Sequence, residues 1–295
     1  MNVTNVKWES QSLDDWAKKY AKGKFIELDG YQTHYIEKGE DHSDTAPVIL
    51  LHGFFFDSFM WEGNMDTFAE QRKVYAPDLW GFGYSTRELM DYGYALYVKQ
   101  LLLFMDALGI KKATIVGQSI GGGTAIKFAA DYPDRVDKLI LVCAAGMPNK
   151  QPLMAKIINT FPALGHFMYG LNTDNIRKKG LLDYFVYDEA LLSKEYFDNV
   201  TRFHKVKGTV DVMLDIMRRD FFFTLHEEIK QLAKLNKDIL IVWGRHDKGN
   251  PLRLGQAMHE ILEGSKLEVI ENSKHVPNTE VPELFNRAVA DFLHS

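Results

Sequence analysis

Cysteine occurs once in this 295-residue chain, as Cys143, so no disulfide can form within it. There is no spaced Cys/His cluster and no H-E-x-x-H, which removes the usual zinc sites. Neither sign of charge dominates: 35 basic against 40 acidic residues leave a formal charge of −5, a poor match for a polyanionic partner, so nucleic-acid binding is not expected. No apolar run approaches the about 18 residues that a membrane span requires. The opening MNVTNVKWES has neither the basic nor the apolar region of a signal peptide, and a cytoplasmic location is the expectation. A glycine-rich dinucleotide fingerprint and a Walker loop are both missing, so no cofactor is expected. What remains, 46% hydrophobic and 25% charged, is the composition of an ordinary globular enzyme or binding protein.

The hydrophobic pattern supplies the architecture. Leu13, Trp16, Ala17 and Tyr20 recur at helical spacing over 12–22, with Ser12 placed to cap the turn. Two β-rich runs flank Asp29-Gly30, a hairpin signal. Short continuous apolar runs at 47–51, 73–76, 112–116, 138–144, 238–243 and 266–271 suit strands buried on both faces. Helical stretches at 94–108, 252–263 and 281–294 alternate with them. This predicts an α/β fold with a mostly parallel central sheet and helices on both faces. The alternation breaks between 147 and 237, where LMAKIINTFPALGHFMYG, EALLSKEYFDNVTRF and TVDVMLDIMRRDFFF read as helices. The expected organisation is a helical extension over 1–24, a core over 25–146 and 231–295, and an inserted helical lid over 147–230.

The chemistry centres on VGQSIGG. Strand 112–116 runs into Gly117-Gln118-Ser119-Ile120-Gly121, and a helix follows. A serine in a strand–turn–helix corner of the form G-x-S-x-G is held in a strained backbone, with glycines letting strand and helix approach. The N-terminus of the next helix favours negative charge at the same point. A hydroxyl needs a base to become a nucleophile. Of ten histidines, His275 follows strand 266–271 and so leaves the sheet at the same edge as Ser119. Asp247 follows strand 238–243 at that edge, either orienting His275 or acting only as a turn cap. His246 neighbours Asp247 along the chain and is badly placed to meet it. An oxyanion would be met by the N–H of Ile120 and by that of Phe54, with Phe55 as the alternative, in the HGFFFDSF loop whose His52 is expected to be an anchor. Phe55, Gln118 and Val276 are the expected substrate contacts.

LLHGF, DLWGFGYS, GQSIGG, WGRHD and NSKHVPNTEVPELF, in this order, resemble the α/β-hydrolase superfamily. The resemblance implies Ser119 as nucleophile, His275 as base, Asp247 as acid, Phe54 and Ile120 as oxyanion donors, and a lid over the pocket. Relatives that break carbon–halogen bonds or epoxides carry aspartate at the nucleophile position. Serine here points to acyl chemistry without a metal, on a small-molecule ester with an apolar acyl group of small to medium size. Two alternatives stand beside this carboxylesterase reading. One is a hydrolase of carbon–carbon bonds in dienoic ring-fission products, against which the bulky HGFFFDSFMW loop counts, since those enzymes commonly have a small glycine-rich loop there. The other is a non-catalytic ligand receptor on the same fold. Phe161, Phe167, Met168, Tyr169, Phe203, Met213, Met217, Phe221, Phe222 and Phe223 are expected to form the lid's own core and its seam, with a subset lining the pocket. Arg218 and Arg219 are expected on a solvated face rather than at a substrate carboxylate. Monomer and homodimer both remain open.

Overall fold

A computed structural model describes residues 3, 6–42, 44–150, 160–161, 164–167 and 173–294. Its eight strands are β1 (Lys24–Leu28), β2 (Tyr31–Lys38), β3 (Val48–Leu51), β4 (Val74–Pro77), β5 (Ala113–Gln118), β6 (Val136–Val142), β7 (Asp238–Gly244) and β8 (Lys266–Ile270). They form one sheet in the order β1-β2-β4-β3-β5-β6-β7-β8. The first hairpin, β1-β2, and the β2-β4 pair are antiparallel, and every later pairing is parallel. Asp29 and Gly30 both take positive φ, 54° and 81°, as a tight two-residue turn between twisted strands demands.

The short apolar strands are buried on both faces because two cores are built on them. Ile49, Leu51, Ile115, Leu139, Leu141 and Ile241 turn to one core, and their strand neighbours Val48, Leu50, Val116, Ile140, Val142 and Val242 to the other. This is the two-residue period of an extended chain. The first face is covered by α3 (Tyr94–Ala107), α4 (Ile120–Asp131), α8 (His226–Leu232) and α9 (Leu252–Ile261), and the second by α2 (Glu62–Ala69) and α11 (Pro282–His294).

Between β6 and β7 lies the helical insertion, with α5 (Asp174–Tyr184), α6 (Lys194–Val200) and α7 (Thr209–Arg219) among the described residues. The helix expected over 153–170 falls largely outside them, as do Met168 and Tyr169. Phe203, Met213 and Phe221 are buried in the first core, so they form the seam, whereas Phe161 and Phe167 are exposed. Arg219 pairs with Asp215 and Asp91 on the outer surface.

Helix α1 (Leu13–Tyr20) begins at Ser12, whose hydroxyl accepts the Asp15 N–H. The segment before it is strapped to the insertion. Ser10 and Gln11 N–H both donate to the Lys205 carbonyl, and Glu9 accepts the N–H groups of Gly208 and Val210 at the start of α7. Among the described residues no helix is long and apolar enough to cross a membrane.

Candidate active site

Because β3, β5, β6, β7 and β8 are parallel, their carboxyl ends share one edge, and the loops leaving them deliver His52–Phe56, Ser119, Cys143, Asp247 and His275 to it. Strand β5 runs two residues further than its apolar pattern suggests, through Gly117 and Gln118, before the chain reverses at Ser119. Ser119 takes φ 53° and ψ −116°, outside the relaxed regions for a residue with a Cβ. The corner is tied down on both sides: Ser119 N–H donates to Val142 O at 3.0 Å, and its carbonyl accepts the N–H groups of Gly123 and Ala145. A Cβ on Gly121 would sit 2.3 Å from the Leu51 carbonyl oxygen, so only glycine lets α4 start against the neighbouring strand.

His275 Nδ1 lies 2.7 Å from Asp247 Oδ2, and both side chains are buried. The other carboxylate oxygen of Asp247 accepts the N–H groups of Gly249 and Asn250 at 2.8 and 2.9 Å. The aspartate thus forms a turn cap and grips the imidazole at once; the two expected roles coexist. With Nδ1 so engaged, Nε2 takes no hydrogen bond among the described residues. His246 points outward and stacks on Tyr187, ring centroids 4.9 Å apart.

Facing the serine is the loop after β3. A Cβ at Gly53 would come within 3.1 Å of Ser119 Cβ, so the loop backbone rides directly on the nucleophile corner. His52 holds it there: Nδ1 donates to Gly53 O at 2.9 Å while Nε2 accepts Leu79 N–H at 2.9 Å, a neutral tautomer whose pKa burial pushes down. Phe55 takes φ 71°. The N–H of Ile120 is the first of α4 and has no partner within that helix, and no turn or side-chain hydrogen bond uses the Phe54 N–H among the described residues.

Two of the expected substrate contacts, Gln118 and Val276, are buried beside the site. Gln118 is fully buried, donating its amide to the His275 carbonyl at 2.7 Å. Val276 is fully buried in the second core. The third, Phe55, is half-buried and lines a cavity of about 320 Å³ together with Arg177, Leu181, Phe185 and His204. Phe185 is the link to the imidazole, its ring 5.5 Å from that of His275. Arg177 stacks on Trp8 and lies 3.2 Å from His204 Nδ1, so one wall of an otherwise apolar cavity is cationic. His204 and Arg177 were not legible as site residues, since nothing local in the insertion marks them.

Among the described residues, the one cluster with donor atoms close enough for a metal is Cys143, Asp247 and His275, all within 4.8 Å. Asp247 and His275 already hold each other there.

The chain matches the family described as alpha/beta hydrolase fold over residues 46–280. It is 28% identical to a 2-hydroxy-6-oxo-2,4-heptadienoate hydrolase of Pseudomonas putida, covering 92% of this chain and 96% of that one. It is 29% identical to a 2-hydroxymuconate semialdehyde hydrolase of Pseudomonas putida, covering 92% and 94%. Among solved structures, a meta-cleavage product hydrolase from Pseudomonas fluorescens superposes with a TM-score of 0.77 at 28% identity, covering 92% of this chain and 97% of that one. These relatives are named for a heptadienoate, a muconate semialdehyde and a meta-cleavage product, and they back the carbon–carbon alternative better than the carboxylesterase reading. Of the loop's aromatic side chains, Phe56 is buried in the second core, Phe54 packs edge-on against Phe82 and Phe222, and Phe55 is the one in the cavity wall. With the sheet order, the serine corner and the matched span in agreement, the chain belongs to the alpha/beta hydrolase fold family.

Proposed function

We propose that this protein is a serine-dependent hydrolase of a carbon–carbon bond next to a carbonyl in a 2-hydroxy-6-oxo-dienoate. The observation that carries it is the strained Ser119 corner on the same sheet edge as the His275–Asp247 pair, in a chain similar to a hydrolase named for a 2-hydroxy-6-oxo-dienoate. Ser119 adds to the substrate carbonyl while His275 Nε2 takes its proton. The oxyanion so formed is met by the N–H groups of Ile120 and Phe54. Cleavage requires the 2,6-dioxo tautomer, in which the 2-hydroxyl proton has moved to C5 and the remaining double bond joins C3 to C4; the C5–C6 bond then breaks, its electron pair passes through the C5–C2 system to the C2 oxygen, and His275 returns the proton to that enolate oxygen. Water, deprotonated by His275, cleaves the acyl-enzyme and regenerates the serine. Asp247 holds the imidazole tautomer and stabilises the transient imidazolium. The helical segment over 147–230 serves as a lid on this pocket.

Ester cleavage is the second reading, favoured by the same geometry: the addition step is identical and only the leaving group differs, an alkoxide in place of a stabilised carbanion. Turnover of a 6-oxo-dienoate and of p-nitrophenyl esters of graded chain length separates the two. The dienoate is expected to have the higher kcat/KM, and Ser119→Ala to lower both by about 10⁴-fold or more with the fold intact. Esters turned over and dienoate untouched would reverse the order of the readings. Substrate binding with no turnover, unchanged in Ser119→Ala, would establish a receptor instead.

A further inference from the structure

Strand β6 was expected to run to residue 144, but it ends at Val142 because Cys143 turns out of the sheet with φ 43°. That left-handed conformation is unfavourable for any residue with a Cβ, and here the surroundings hold it in place. The Cys143 N–H donates to Val242 O at 2.9 Å, and its carbonyl accepts Asn250 Nδ2 at 2.8 Å. Its sulfur accepts the Gly244 N–H at 3.5 Å, and its S–H donates to the Lys274 carbonyl at 3.7 Å, away from the Asp247 carboxylate. The loops that carry Asp247 and His275 therefore both close on this one side chain, which is fully buried.

A carboxylate offers about four acceptor positions. On Asp247 two are taken by Gly249 and Asn250 and one by His275, and the Cys143 sulfur lies within 4.8 Å of that pair. We propose, on the reading that His275 and Asp247 act as base and orienting acid, that Cys143 is a positioning residue: its thiol shields the remaining side of Asp247 and leaves the carboxylate's charge to the imidazole. A hydroxyl or a water there would donate a stronger hydrogen bond and draw off part of that charge, whereas S–H is a weak donor. Burial, and then the Asp247 carboxylate beside it, push the Cys143 thiol well above its ordinary range, so no second negative charge arises next to the aspartate. The other charged group acting on the thiol is Glu280, in the short helix α10 (Pro277–Glu280). It is tied to Ser273, to the Lys274 N–H and to the Tyr187 N–H, and it stays in place in the variants below.

Two small substitutions act in opposite directions. Cys143→Ser supplies a strong donor that can turn from the Lys274 carbonyl to the Asp247 carboxylate, so the imidazolium is less stabilised. The acid limb of the kcat/KM profile is expected to move to lower pH and the plateau to fall roughly tenfold. Cys143→Ala supplies no donor, so the acid limb is expected to move to higher pH with a loss of about threefold or less. The proton NMR signal of His275 Nδ1–H, read on the folded protein without substrate, should titrate with the same opposite displacements. Ser119→Ala, run alongside, separates the two ideas: activity that survives it removes the serine mechanism, while the NMR titration still judges Cys143. Displacements of the same sign, or none in either variant, would overturn the positioning role, because loosened packing alone costs rate without moving the two limbs apart.

Discussion

Among the described residues, two buried histidine–aspartate pairs stand at nearly the same separation, His275–Asp247 at 2.7 Å and His34–Asp78 at 2.8 Å. Their surroundings differ. On His34 the second nitrogen is spent on the Lys22 carbonyl at 2.6 Å, and Asp78 also accepts the N–H groups of Ser58 and Tyr84, each at 2.7 Å. Every polar atom of that pair is committed to holding β2, the loop after β3 and the loop after β4 together. Burial opposes the charged forms of both partners, but their mutual attraction outweighs it: His34 is shifted up and Asp78 down to about 2. On His275 the nitrogen away from the aspartate is left uncommitted at the sheet edge that carries Ser119. A buried histidine–aspartate pair is therefore no mark of catalysis by itself; the state of the remaining nitrogen separates a brace from a base.

The largest expected effect tests that distinction at the proposed base. Asp247→Asn keeps an oxygen for the Gly249 and Asn250 N–H groups but presents an amide to His275, favouring the wrong tautomer. We expect kcat to fall by about 10³–10⁴ with little change in thermal unfolding. The same exchange at the brace should do the reverse. Asp78→Asn strands His34 and weakens two backbone hydrogen bonds, at a cost of about 3–5 kcal/mol in urea unfolding, while the fraction that remains folded turns over substrate at close to the wild-type kcat. Activity lost at Asp78 without loss of stability, or stability lost at Asp247 without loss of activity, would break the comparison.

The sequence shows why one pair was readable and the other was not. Ser119, Asp247 and His275 each stand just past an apolar run, and parallel strands must bring such positions to one edge; local pattern and topology suffice. The partnership of His34 with Asp78 crosses from an antiparallel strand to the loop after β4, and nothing along the chain states that register in advance. Strand ends were misplaced for a related reason: V-C-A-A continues the apolar run after the backbone has turned at Cys143, and Gly117-Gln118 looks like a turn while still paired in the sheet. Gln118 and Val276 were expected at the substrate from nearness in sequence to Ser119 and His275, and the structure buries both side chains. The choice between ester and dienoate was not readable from Ser119, Asp247 and His275 at all, since in the proposed mechanism they act on the carbonyl, which both substrates share.

Each aspartate also has a second acidic neighbour, and these sharpen the contrast. Beside Asp247 it is the Cys143 thiol; beside Asp78 it is Asp57, whose carboxyl is pushed up to about 8 by burial first and by Asp78 next. The other charged groups acting on Asp57 are His34 and Arg202, and its own oxygen caps the short turn at Ser58 by accepting the Phe59 N–H at 3.1 Å. In the unfolded chain this carboxyl loses its proton near the ordinary value of about 3.9; in the folded protein it keeps the proton until about pH 8. The folded state is therefore favoured most below pH 4 by this group, and the advantage drains away as pH rises to 8 and changes no further above it. Asn at this position has no proton to retain, yet can still cap the turn. Asp57→Asn should therefore match the wild type in melting temperature near pH 4 and exceed it by a margin that widens up to about pH 8 and then holds. Melting curves collected across that range decide the point: a margin that stays constant with pH would mean that Asp57 is ionised in the folded protein and that Asp78 shares its site with a second full charge.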